Sequence, residues 1–134
     1  MAAMGWSTWA PRFQSLLRIV AAFLFITAGT TKLFAFPAMI PSGGTVPLVS
    51  QMGLGACLEI FGGALLLLGL FTRPVAFLLA GEMAVAYFQF HAPGASIFPT
   101  VNKGEAAVLY CFIWLYFSAA GPGSWSVDAM LRKR

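Results

Sequence analysis

Charged residues are so sparse along this chain that the apolar runs between them define its elements. Four runs stand out, over residues 16–36, 51–71, 74–91 and 104–120. Each approaches the ~20 residues that a helix needs to cross the hydrocarbon core of a bilayer. In the first, Arg18, Ala21, Ala22, Phe25, Ala28, Gly29 and Lys32 recur at helical spacing and form one stripe. In the second, Gly55, Ala56, Gly62 and Gly63 surround Glu59 at spacings of three and four. Small residues on a membrane helix mark close contact with protein rather than lipid. In the third, Ala86 and Gln89 share the side of Glu82.

The connections carry their own signals. Pro37-Ala-Met-Ile-Pro-Ser-Gly-Gly-Thr-Val-Pro47 stops a helix and permits turns. Gly69-Leu-Phe-Thr-Arg-Pro74 is a tight link, with Gly ending one helix and Pro near the start of the next. His91-Ala-Pro-Gly-Ala-Ser-Ile-Phe-Pro99 forms the third connection. Asn102-Lys-Gly-Glu105 has the spacing of a capping box and predicts a helix start there. Arg12, Arg18 and the small residues Thr27-Ala28-Gly29 also match a cleaved leader. Apolar character resumes through Leu33-Phe34-Ala35-Phe36, which favours a retained span.

Composition sharpens this pattern. The chain has 134 residues, 60% of them hydrophobic and 9% charged, against roughly 25% charged in a soluble domain. So few charges cannot cover a small soluble globule, and so many apolar residues exclude disorder. The net charge of +4 is no nucleic-acid footprint, because the basic residues form no stripe with interleaved aromatics. It reads as topology instead. Arg12, Arg73 and the terminal Arg132, Lys133 and Arg134 mark the cytoplasmic side, while the first connection has no Lys or Arg and the third has only Lys103. The expectation is an all-α integral membrane four-helix bundle, a single domain over residues 1–134 with both termini cytoplasmic. Trp6, Trp9 and Trp125 suit interfacial positions, and the tail from Ser124 suits the cytoplasmic surface.

Three of the four acids, Glu59, Glu82 and Glu105, fall in or at the ends of spans. A charge near the bilayer centre costs about 2.5–3.5 kcal/mol even on a lenient scale, so each needs a partner, a proton or water. At 1.5 Å per residue, Glu59 and Glu82 lie roughly 12 and 13 Å below the outer ends of their spans. Lys32 lies about one turn inside, and His91, Lys103 and Glu105 lie at the outer mouth. These groups are expected to converge on a polar chamber in the outer half of the bundle. Plainer readings stand beside this one. Lys32 snorkels to the interface, Glu105 serves as a cap, His91 ends its span, and Glu59 or Glu82 forms a structural ion pair with Lys32 or Arg18. Cys57 and Cys111 belong to no C-x-x-C motif and read as buried apolar residues. One His and no ligand spacing give no expectation of a metal site.

Several segments resemble the DoxX family of small four-helix membrane proteins. They are Leu16-Leu17-Arg18, Gly29-Thr-Thr-Lys32-Leu33-Phe34, Glu59 with Gly62-Gly63, Gly69-Leu-Phe-Thr-Arg-Pro74 and Gly81-Glu82-Met-Ala-Val-Ala-Tyr87. His91-Ala-Pro, Phe98-Pro-Thr-Val-Asn102-Lys-Gly-Glu105 and Gly121-Pro-Gly-Ser-Trp125-Ser-Val-Asp128 complete the set. Lys103 departs from the family, which often has a second Gly there. The resemblance implies a multi-pass protein of the bacterial inner membrane, loosely linked to oxidoreductase systems, and carries over no catalytic residue.

Two functions follow from different classes. In one, a quinone is bound by Lys32, Tyr87, His91, Asn102, Lys103 and Glu105, with Glu59 or Glu82 exchanging its proton. In the other, the chain anchors a partner oxidoreductase without catalysis. The lipid bilayer, a quinone, a redox-enzyme subunit and a second copy of the chain are the partners these readings name. A solute carrier is disfavoured because no span is broken near its middle.

Overall fold

The computed structural model describes residues 3–94 and 96–133, so Arg134, counted above among the cytoplasmic cations, and Ala95 of the third connection lie outside it. The described residues are helical and contain no strand. In order they form α1 (Ala3–Ser7), α2 (Ala10–Phe34), α3 (Gln51–Leu68), α4 (Thr72–Ala86), a π-helical turn (Tyr87–His91), α5 (Pro99–Asn102), α6 (Glu105–Ala120) and α7 (Val127–Arg132). Among the described residues two compact units emerge, one within residues 1–72 and 122–134, the other within residues 73–121.

In the first unit, residues Gly5–Phe34 and Gln51–Leu68 are both long and apolar enough to cross a membrane. Within the first, α2 begins at Ala10, six residues before the run at 16–36, because Pro11 fits a first helical turn. The 30 residues from Gly5 to Phe34, at about 1.5 Å each, are longer than the ~30 Å core requires. At the early end Trp9 stacks on Phe13, and the Arg12 guanidinium lies 4.8 Å from the Trp9 ring centre. A cation and aromatic rings together suit a membrane interface.

The buried positions of α2 are Ser15, Arg18, Ala21, Ala22, Phe25 and Gly29, close to the stripe read from spacing. Those of α3 are Gly53, Ala56, Glu59, Gly63 and Leu66. The two helices pack together, and small residues set how closely. A Cβ on Gly29 would lie 2.7 Å from the Ala56 carbonyl oxygen and 2.7 Å from Ile60 Cγ1. Ser50 caps α3 by accepting the Gly53 N–H at 2.9 Å. Gly69 ends it with φ +70°, its N–H returned to the Leu65 and Leu66 carbonyls.

In the second unit, Ala76, Leu79, Ala80, Met83 and Tyr87 form the buried stripe of α4 and the turn that follows it, and Trp114 and Phe117 are buried on α6. The exposed Arg73 donates to the Ser118 and Ala119 carbonyls at the end of α6. A guanidinium there meets acceptors that have no partner within the helix and the negative end of its dipole.

Gly29→Ala should therefore destabilise the α2–α3 contact by about 1–3 kcal/mol. Gly81→Ala, whose added Cβ meets nothing within 4 Å, should be neutral or gain up to about 1 kcal/mol. Apparent unfolding temperatures in one detergent compare the two.

Candidate functional site

Where α2 ends beside the early part of α3, Lys32 and Glu59 meet, with Lys32 Nζ 2.6 Å from Glu59 Oε1. Lys32 is in the last turn of α2, where a cation is favoured by the helix dipole, and its carbonyl accepts the Val46 N–H at 2.9 Å. Glu59 is buried on the face whose small neighbours admit α2, while Lys32 is half-buried. The second carboxylate oxygen, Oε2, is buried and has no hydrogen-bond partner among the described residues. One side of this acid is satisfied and the other is open.

Near the opposite end of the same helices the polar groups are closed. Arg18 is fully buried and donates through Nε to the Leu66 carbonyl and through Nη2 to the Trp125 carbonyl, each at 2.7 Å, and through Nη1 to Pro122. Leu66 lies in the last turn of α3, so the guanidinium neutralises that helix end. Ser15 Oγ donates to the Pro11 carbonyl at 3.0 Å and accepts the Trp125 N–H at 2.9 Å. Asp128 accepts the Phe71 and Thr72 N–H groups, both at 3.0 Å, and its own N–H donates to the Gly69 carbonyl at 2.9 Å. It thereby caps α4 from a distant part of the chain and holds Phe71 at φ +51°. The clasp closes only around glycines. A Cβ on Gly69 would come within 2.4 Å of Ser126 Cβ, and one on Gly123 within 2.3 Å of Ser15 Oγ.

In the second unit the third connection folds around Asn102. Its Nδ2 donates to the Ser96 carbonyl at 2.9 Å and to Tyr87 Oη at 3.2 Å, and Tyr87 Oη donates to the Ile97 carbonyl. His91 Nδ1 lies 3.2 Å from the Asn102 carbonyl, and the His91 and Tyr87 rings stack at 6.3 Å. A Cβ on Gly104 would lie 2.7 Å from the Tyr87 ring. Glu82 is half-buried on α4, and Lys103 and Glu105 are exposed.

The capping box expected at Asn102-Lys-Gly-Glu105 is not formed. Lys103 takes φ +62° and ends α5, and α6 starts at Glu105 with Gly104 as its cap. Asn102 Oδ1 instead accepts the Gly104 N–H at 2.8 Å, a local turn that a left-handed residue makes available. Of the sequence candidates, Lys32 and Glu59 come together in one unit, and Tyr87, His91 and Asn102 in the other. Arg18 is hydrogen-bonded to carbonyls rather than to Glu59. Cys57 and Cys111 are free thiols, both half-buried. Spacing gave no sign of the clasp residues Ser15, Ser126 and Asp128. The signal available was Asp128 itself, an acid beside a basic tail that also follows two glycines and a capping serine.

Two helices long and apolar enough to cross a membrane, joined through the Lys32–Glu59 ion pair, fit a helical membrane protein. The DoxX family profile matches residues 13–92, and the chain belongs to that family. It is 41% identical over 126 residues to an uncharacterized protein of Haemophilus influenzae, covering 92% of this chain and 94% of the relative. It is also 30% identical to the inner membrane protein YqjF of Escherichia coli (87% and 90% covered) and 25% identical to the inner membrane protein YphA of that organism (88% and 89% covered). No solved structure matches the chain.

Asp128→Ala, which strands two amide donors, should cost about 1–3 kcal/mol. Asp128→Asn, which keeps one acceptor oxygen, should cost less. Apparent unfolding temperature and carboxypeptidase release of the C-terminal residues read the clasp directly.

Proposed function

We propose that this chain is a multi-pass protein of the bacterial inner membrane, one DoxX-like domain of four crossing helices with both termini cytoplasmic. We further propose that it works as the membrane component of a quinone-linked redox system, with Lys32 and Glu59 at its ligand-binding centre. The inner-membrane names of its relatives support the location. The observation that carries the chemistry is the open oxygen of Glu59. A buried carboxylate costs several kcal/mol unless its lone pairs are met, so a ligand that brings a hydroxyl or a proton to Oε2 completes the site.

A bound quinone supplies a two-electron, two-proton carrier, with electrons delivered by a partner enzyme. On this reading the Lys32 ammonium donates to a carbonyl oxygen of the ligand, and Glu59 holds at Oε2 the proton that the reduced oxygen requires. Glu82 is the second proton-exchange candidate. Tyr87, His91 and Asn102 position the third connection, with Lys103 and Glu105 at its exposed edge.

A second reading, a non-catalytic anchor for an oxidoreductase, is favoured by a different observation. The hydrogen bonds of Arg18, Asp128, Arg73 and Asn102 end largely on backbone groups, which is how side chains hold a fold together.

Mass spectrometry of protein extracted in mild detergent should find quinone retained, and Glu59→Gln should weaken its binding at least tenfold, about 1.4 kcal/mol. No retained quinone, together with a co-purifying enzyme that stays active beside Glu59→Gln, would establish the anchor in its place.

A further inference from the structure

Residues 33–58 include no Asp, Glu, Lys, Arg or His. They contain the whole connection between α2 and α3, residues 35–50. A connection bathed in water ordinarily carries polar and charged groups, yet Phe34, Phe36, Met39, Leu48 and Val49 are here between 63% and 97% exposed. So many large apolar side chains exposed within one short, uncharged stretch are unusual on a surface that faces only water. The backbone of the connection is held at several points. Val46 N–H donates to the Lys32 carbonyl at 2.9 Å, Gly43 N–H to the Ile40 carbonyl at 2.8 Å, and Ser50 Oγ to the Pro47 carbonyl at 2.6 Å. At its far end Gly53 sits so close that a Cβ would come within 2.1 Å of the Pro47 carbonyl oxygen.

We propose that this connection is itself a membrane-contacting element. It lies in the interfacial layer of the leaflet at which α2 ends and α3 begins, with Phe36, Met39, Leu48 and Val49 among the upper acyl chains and the Ser42-Gly-Gly-Thr45 turn toward water. Continuity with two membrane-length helices names lipid as the occupant, since the flanking Phe34 and Met52 are exposed apolar residues at the ends of those helices. Irregular backbone is excluded from the hydrocarbon core, where its free N–H and C=O groups find no partners. That limits the depth to the zone where headgroups and water reach the backbone. With no charge in the segment, the contact depends on apolar burial and not on anionic lipid. The inference rests on membrane residence alone and is independent of the quinone reading.

The test places an environment-sensitive nitrobenzoxadiazole label on Met39→Cys, Val49→Cys and Ser42→Cys, with Cys57 and Cys111 replaced by serine. The protein is reconstituted in phosphatidylcholine vesicles with and without a shallow nitroxide-labelled lipid. The same additions to the chain that keeps its native cysteines, read by difference from the parent, cover loss of folding in the serine background. The expected result is blue-shifted emission at positions 39 and 49, more than half of it lost to the nitroxide lipid, and water-like emission at 42. Adding phosphatidylglycerol or salt should leave this unchanged. Water-like emission quenched by iodide at 39 and 49 overturns the proposal, as does blue-shifted emission untouched by the nitroxide, which would mean that protein covers the segment.

Discussion

A helix that stops inside protein leaves its last carbonyl groups short of intrahelical partners, and groups from elsewhere in the chain must complete them. The buried guanidinium of Arg18 meets that constraint. Its three contacts join the end of α3, which Gly69 terminates, to the backbone at Pro122 and Trp125, so one side chain from the middle of α2 ties that helix end to the returning C-terminal segment. The rest of the clasp follows from that position. Ser15 lies one turn earlier on the same face, Gly69 and Gly123 give the backbones room to approach, and Asp128 is brought to the first amides of α4. Arginine suits the task because its planar fork can address several carbonyls at once, which a lysine ammonium cannot do with the same geometry.

The two polar centres of this unit differ in how completely they are satisfied, and that difference separates a fold element from a candidate site. Around Arg18 the donors end on backbone oxygens, so a ligand there would have to break bonds before making any. At Lys32 and Glu59 one carboxylate oxygen is engaged and the other is not. Gly29, where a Cβ would lie 3.1 Å from Glu59 Cβ, lets α2 and α3 approach there, near enough for a lysine in the last turn of α2 to reach across.

Much of the architecture was legible from the spacing of residues. Most of the stripe from Arg18 to Lys32, Ala56 and Gly63 of the small-residue face around Glu59, and the stop at Gly69 reappear in the helices and their buried faces, while Gly55 and Gly62 are only half-buried. These features are local, because a helical period and a left-handed glycine are written within a few consecutive residues. The failure at Asn102–Glu105 has the opposite character. Four residues with the spacing of a capping box also fit a turn that ends one short helix before another begins. The packing of Gly104 against Tyr87 goes with the second outcome. Burial cost also suggested Arg18 as a partner for a buried acid, when the groups it reaches are carbonyls 48 to 107 positions away.

Composition and periodicity by themselves determined that this chain is helical, belongs in a bilayer and buries charge on chosen faces, because the cost of placing apolar and charged groups depends on their solvent and not on their partners. Which charge meets which group was decided only by the tertiary structure. A guanidinium, an ammonium or an amide can each satisfy several acceptors, and the choice depends on how closely particular backbones approach. That approach is set by glycines whose role lies in the atoms they lack, which is why the lysine of α2 found Glu59 while the arginine four turns away closed on backbone oxygens.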